Sequence, residues 1–193
     1  MTKLFAMSVL AILVIFQPEI RQGLARLGQR NLFSTVLKEE EIEAVIKQIA
    51  NAADVLSEKK TGALITIEQK DSLKIFIDSG VHVDARVTAE LIQTIFTPNS
   101  LLHDGGLVIQ HGRIIAAGCI FPLTDRPNLN RSLGTRHRAA IGLTEQTDAI
   151  VVVVSEETGN ISVSIDGGLQ QSLDKEGLFN LLISFFIAKK EDA

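Results

Sequence analysis

Apolar positions along the chain change their period several times, and each change marks a new element. From Glu39 to Glu58 the residues Ile42, Val45, Ile46, Ile49, Ala53 and Leu56 recur every three or four positions, the spacing of one helix face. Glu39, Glu40 and Glu41 suit the positive end of that helix's dipole. After the break Lys59-Lys60-Thr61-Gly62 the pattern predicts two strands, Ala63 to Glu68 and Leu73 to Asp78, joined by a polar turn. Asp84 reads as the cap of a helix that runs through Phe96 and is stopped by Pro98. Leu107 to Gln110 and Arg113 to Ile120 predict a hairpin around His111-Gly112. Thr135 to Glu145 reads as a helix capped by Thr135, Ala149 to Ser155 as a buried strand, and Ile161 to Ile165 as its neighbour. Asp174 caps a last helix carrying Leu178, Leu181, Leu182, Phe185 and Phe186.

Strands and helices alternate without strict βαβ repetition, which predicts an α/β fold: a single domain over residues 34–193, a mixed β-sheet flanked by helices. Residues 1–33 differ in kind. Leu4 to Phe16 is a 13-residue run, apolar except for Ser8, which as a helix spans ~20 Å against a ~30 Å hydrocarbon core. Gln17-Pro18-Glu19-Ile20 follows in place of a small-residue cleavage site, and then Arg21, Arg26 and Arg30. Arginines directly after an apolar segment mark a cytoplasmic flank, so the run reads as a partial N-terminal membrane helix. A core or dimer-interface helix is the alternative for the same residues.

Composition narrows the function. The chain has 193 residues, 46% of them apolar, enough for one sizeable core. Its single cysteine, Cys119, excludes an internal disulfide and any cysteine cluster for zinc or iron and sulfur. All nine aromatic residues are Phe, so there is no Tyr or Trp to stack bases, and nucleic acid is not an expected partner. The net charge of −4 divides into +3 over residues 1–33 and −7 over the rest. An acidic domain of this kind binds an anion only through a local basic cluster. Neither GxGxxG after a first strand nor GxxxxGK[ST] is present, which removes the common phosphate loops.

Three segments carry candidate chemistry. His103-Asp104-Gly105-Gly106 sets a carboxylate beside an imidazole on a glycine-flanked bend; such a bend can bind a divalent cation or take a proton from a hydroxyl, and it can equally be a plain turn. Gly134-Thr135-Arg136-His137-Arg138 puts two arginines at a helix start, where the dipole prefers acidic side chains. That violation makes sense if the open N–H groups and guanidiniums converge on a bound anion, above all a polyphosphate; a solvated basic turn is the bland alternative. Ser155-Glu156, at the end of a strand, has the composition of a turn and the position of a ligand contact. His82, His111 and Cys119 have no partner at metal-ligand spacing and read as structural. Together the segments point to phosphoryl chemistry on a nucleotide or other polyphosphate.

HDGG at 103–106, GTRHRAAIG at 134–142 and SEETG at 155–159 together resemble the diadenylate cyclases, which condense two ATP into cyclic di-AMP and release pyrophosphate. FQPEIRQGLARLG at 16–28 resembles the junction of membrane helix and catalytic domain in the membrane-anchored CdaA-type branch, so the likeness covers nearly the whole chain. The resemblance implies that Asp104 activates the 3′-hydroxyl and holds a divalent metal, Mn2+, Mg2+ or Co2+, with His103 as a further metal contact. It implies that Thr135, Arg136, His137 and Arg138 bind the triphosphate, with Gly105, Gly106, Phe121, Ser155 and Glu156 also at the ATP site. It further implies a homodimer as the catalytic unit, a cell-membrane location with the catalytic domain on the cytoplasmic side, and regulatory protein partners. Gly106 stands where the family carries Ala, a change expected to loosen the backbone by ~0.5–1 kcal/mol. Phe121 stands where it usually carries Leu in the adenine pocket. A nucleotide-binding sensor that keeps the fold without efficient turnover is the alternative function.

Overall fold

The computed structural model describes residues 39–191 except 128 and 130–132. The apolar run Leu4 to Phe16 lies outside the described residues. Among the described residues five helices, α1 (Glu39–Glu58), α2 (Lys74–Ile77), α3 (Ala89–Phe96), α4 (Thr135–Thr144) and α5 (Lys175–Glu191), accompany seven strands. The strands are β1 (Ala63–Ile67), β2 (Val81–Arg86), β3 (Gly106–Gln110), β4 (Arg113–Cys119), β5 (Ile150–Val154), β6 (Ile161–Ile165) and β7 (Gly168–Leu173). They form one sheet in the order β2-β4-β3-β1-β5-β6-β7. Only β1 and β3 are parallel; every other pair is antiparallel, so the sheet is mixed as expected.

Both central strands are buried along their whole length, because helices cover both faces. On one face α1, α3 and α5 pack over Ile65, Ile67, Val152 and Val154; Ile46, Ile49, Ile92 and Leu178 fill the layer. On the other, α4 lies on Leu64, Val151 and Val153 through Ala139, Ala140 and Leu143. This second face is close-packed: a side chain on Gly142 would run into the Pro122 carbonyl and lie 2.7 Å from the Thr124 nitrogen. The helix that carries the basic cluster is thus fixed against both the sheet and the 122–124 segment. Among the described residues no helix is long and apolar enough to cross a membrane.

Several expectations need correction. Leu73 to Asp78 is not a strand: Leu73 and Ile77 are buried four residues apart while Ile75 between them is 82% exposed, and backbone bonds from Phe76 and Ile77 return to the Leu73 carbonyl. Three apolar residues at alternate positions suit one helical turn as well as a strand. Asp84 does not cap a helix. It sits within β2, with φ 46° at an irregularity in the pairing with β4, and its carboxylate accepts from Arg113 at 2.7 Å. The cap of α3 is Thr88, whose hydroxyl accepts from the Leu91 N–H at 3.2 Å. Asp174 does cap α5, accepting from Gly177 at 2.8 Å. Edge strand β7 is largely exposed and shows no alternation, whereas β2 does alternate, Val81-His82-Val83-Asp84-Ala85-Arg86, a pattern that reading Asp84 as a helix cap hides.

Candidate active site

Strand directions determine which loops meet. β1 and β3 enter the sheet at one end, and β4 and β5 leave it there, because Gly106 pairs with Cys119 and Ala63 with Val154. Gly62, the His103-Asp104-Gly105 bend, Phe121 and Ser155-Glu156 therefore share one rim, and the start of α4 meets it beside Val154.

At that start the cap is Gly134, not Thr135, and among the described residues no side chain caps the first turn. Thr135 is instead the first helical residue, a correction that strengthens the site: without a side-chain acceptor, the open N–H groups remain available to an anion. Gly134, Thr135, Arg136, His137, Val154, Ser155, Glu156 and Glu157 line a small open cleft. Within it Arg136 donates from Nη1 to Glu156 Oε2 at 2.6 Å. Gly62 makes room for this pair. A side chain there would collide with Arg136 Nη1 and lie 2.8 Å from its Cζ and 3.0 Å from Glu156 Oε2.

His137 is 6% exposed. Burial lowers its pKa below the ordinary 6.5, against the opposing pull of Glu157, so the ring is neutral at neutral pH. Arg138 is half-buried; its N–H bonds the Gly134 carbonyl, and its carbonyl accepts from Thr124 at 3.1 Å, which ties the helix to the segment after Phe121. Ser155 closes the turn between β5 and β6: its N–H donates to the Asn160 carbonyl, and its hydroxyl accepts from Thr158 at 3.3 Å.

The acidic bend occupies the other half of the rim. Gly105 has φ 132°, and a side chain on it would lie 2.6 Å from the Gly118 carbonyl carbon, so both backbone and space demand glycine. Asp104 is exposed, with no ion pair among the described residues. His103 donates from Nδ1 to the Ser100 carbonyl, which leaves Nε2 as the lone-pair nitrogen. An outward carboxylate and an imidazole with its tautomer so held are a donor set that suits a divalent cation. Among the described residues no cluster of three or more His, Cys, Asp or Glu could hold a metal. A cation here would thus need oxygens from substrate or water.

The structure brings Thr135, Arg136, His137, Ser155 and Glu156 into one cleft and sets His103, Asp104, Gly105, Gly106 and Phe121 together beside it. Asp104 does not line that cleft; β1 intervenes, and two interstrand steps separate the halves by about 10 Å. Gly62 was not among the candidates, since before a buried strand it reads only as a break; its role shows only once Arg136 and Glu156 converge on it.

Arg138 does not line the cleft, but a mixed α/β domain with an open helix N-terminus, an arginine and a carboxylate on one rim is a nucleotide-binding domain in its class. The family model described as DisA bacterial checkpoint controller nucleotide-binding matches residues 50–169, and the chain belongs to that family. It is 40% identical over 185 residues to the cyclic di-AMP synthase CdaA of Bacillus subtilis (strain 168), covering 95% of this chain and 68% of that protein. It is 39% identical over 176 residues to a diadenylate cyclase of Listeria monocytogenes serotype 1/2a (strain 10403S), covering 90% of this chain and 64% of that one. Among solved structures, a double mutant of DacA from Staphylococcus aureus matches with a TM-score of 0.73 and 41% identity over 75% of this chain and 96% of its own. A hypothetical membrane spanning protein from Bacillus cereus matches with a TM-score of 0.63 and 43% identity, over 65% of this chain and 62% of its own.

Proposed function

We propose that this chain is a diadenylate cyclase, a nucleotidyltransferase that condenses two ATP into 3′,5′-linked cyclic di-AMP and releases two pyrophosphates. The observation that carries this is the uncapped, doubly basic start of α4 on the same rim as an exposed aspartate.

ATP lies along the rim with its adenosine toward Gly105, Gly106 and Phe121 and its triphosphate at Thr135 to Arg138. The open N–H groups and both guanidiniums neutralise the phosphates and absorb charge on the leaving pyrophosphate. Arg136 exchanges the Glu156 carboxylate for a phosphate oxygen, a change between two anionic partners of the same geometry. Neutral His137 can donate a hydrogen bond without adding positive charge. His103 Nε2 and Asp104 would hold the divalent cation, which when bound supplies Lewis-acid stabilisation at the α-phosphate.

Asp104 accepts the proton of the 3′-hydroxyl. That oxygen then attacks the α-phosphorus of the other ATP: one P–O bond forms, the bond to the bridging oxygen breaks in line, and pyrophosphate departs. Two such transfers close the ring. Because each hydroxyl must reach the other nucleotide's α-phosphorus, two rims face each other across a two-fold axis, and the homodimer is the catalytic unit. Residues 1–33 attach the domain to the cell membrane with the catalytic part on the cytoplasmic side, since the arginines after the apolar run match that topology.

The purified chain incubated with ATP and Mn2+ is expected to yield cyclic di-AMP and pyrophosphate, resolved by chromatography. Tight ATP binding with no product would overturn the cyclase and support a nucleotide sensor.

A further inference from the structure

We propose that Gly106 and Phe121 form one co-adapted unit, in which the phenyl ring occupies the place of a side chain at 106 and so positions the bend that carries Asp104. Gly105 is glycine because its backbone requires it; Gly106 is not. It opens β3 in pairing with Cys119, and its φ lies outside the left-handed range. A side chain at Gly106 would instead meet one ring: it would collide with Phe121 Cε2 and lie 2.8 Å from Cζ and 3.0 Å from Cδ2. No backbone atom is among these nearest neighbours. The nearest obstacle to a side chain here is therefore the Phe121 ring, which fills the space next to Gly106.

The ring has little freedom to move away. Phe121 is 6% exposed, and it meets Phe76 of α2 edge to face, with centroids 5.8 Å apart and planes at 76°. The bend is thus held from the β4 side at two successive residues: Gly105 against the backbone of Gly118 and Cys119, and Gly106 against the ring. Asp104 lies immediately before that clamp in the chain. Phe121 acts on the carboxylate through the backbone, as a positioning residue.

The catalytic part of this inference rests on the cyclase reading; the packing part does not. The test is a double-mutant cycle on the full chain with Gly106→Ala, Phe121→Leu and the two combined. Gly106→Ala is expected to lower Tm by about 2–10 °C through overpacking and kcat by about tenfold to a hundredfold through a displaced Asp104. Both residues face the adenosine on the cyclase reading, so KM for ATP is expected to move as well, and kcat at saturating ATP is the readout of a displaced Asp104. Phe121→Leu should speed amide hydrogen exchange across residues 103–106. The double variant is expected to recover Tm, kcat and exchange, because the added methyl fills what the shorter side chain vacates.

Additive losses in Tm would overturn the packing unit. Recovery of Tm with kcat and exchange both still lost would overturn the positioning role. If Gly106→Ala does not fold, a folded double variant supports the pair and an unfolded one refutes it. A wild-type chain that makes no cyclic di-AMP would sink the cyclase reading, while Tm and exchange still decide this one.

Discussion

Gly62→Ala adds one methyl group at the point where the Arg136 and Glu156 side chains meet. Gly62 is buried, and its φ lies outside the left-handed range, so the backbone itself accepts alanine. The new methyl would collide with Arg136 Nη1 and lie 2.8 Å from its Cζ and 3.0 Å from Glu156 Oε2. These are the far ends of flexible side chains, 20% exposed for Arg136 and 63% for Glu156, so both can swing outward. An ion pair with one partner so exposed contributes under ~1 kcal/mol. Removing glycine from the unfolded chain offsets that by ~0.4–1 kcal/mol. The fold should therefore be nearly indifferent, with Tm within ~2 °C of the original.

What the methyl removes is the aim of Arg136 at the triphosphate. A hydrogen bond to a charged group is worth ~1.5–3 kcal/mol, which converts to roughly a 10- to 150-fold loss in kcat/KM. Initial rates of cyclic di-AMP formation over a range of ATP concentrations, with a thermal melt of the same preparation, read both quantities. A kcat/KM within about twofold of wild type at unchanged Tm would show that Arg136 does not hold the phosphates. A large fall in Tm would show that the pair cannot swing aside and that the two side chains lack the freedom their exposure implies.

Asp104→Asn keeps the size of an exposed side chain and removes its charge, so synthesis should fall by at least about a hundredfold while the melt stays unchanged; undiminished turnover would take Asp104 out of the mechanism. His137 titrates below its ordinary 6.5 in the fold, so between that lowered value and 6.5 the unfolded chain binds more protons. Its contribution to stability is complete above about pH 6.5 and is lost as pH falls through that window. Melts from about pH 8 down to pH 5 should accordingly steepen less for His137→Gln than for the wild type, and equal slopes would contradict the assignment. Burial pushes the Cys119 thiol from 9.0 up to about 11, so alkylation near pH 8 should run at least about a hundredfold slower than for a free thiol until the chain is unfolded; rapid labelling of the native protein would refute it.

The parts of the fold legible in the sequence are those whose burial leaves a period. The 3.6-residue repeat of α1 and the unbroken apolar run of β5 each follow from one face or both faces being covered. β7 escaped because an edge strand that buries little leaves no alternation, β2 because reading Asp84 as a helix cap hides its alternating run, and α2 because a single turn cannot separate two periods. The site divides along a similar line. Arg136 and Arg138 stood out because arginines at the start of a helix break a local rule, and Asp104 because it stands beside a histidine on a glycine bend. Gly62 and Gly106 break none. Each is glycine because a side chain far along the chain, Arg136 in one case and Phe121 in the other, occupies the volume of its missing Cβ. Such a requirement exists only after β1, β3, β4 and α4 have converged, so it leaves no period and no local conflict to read. It follows that tolerance to substitution at these two glycines is set by the partner's side chain, whereas at Gly105 it is set by the left-handed backbone, which no change of partner can relieve.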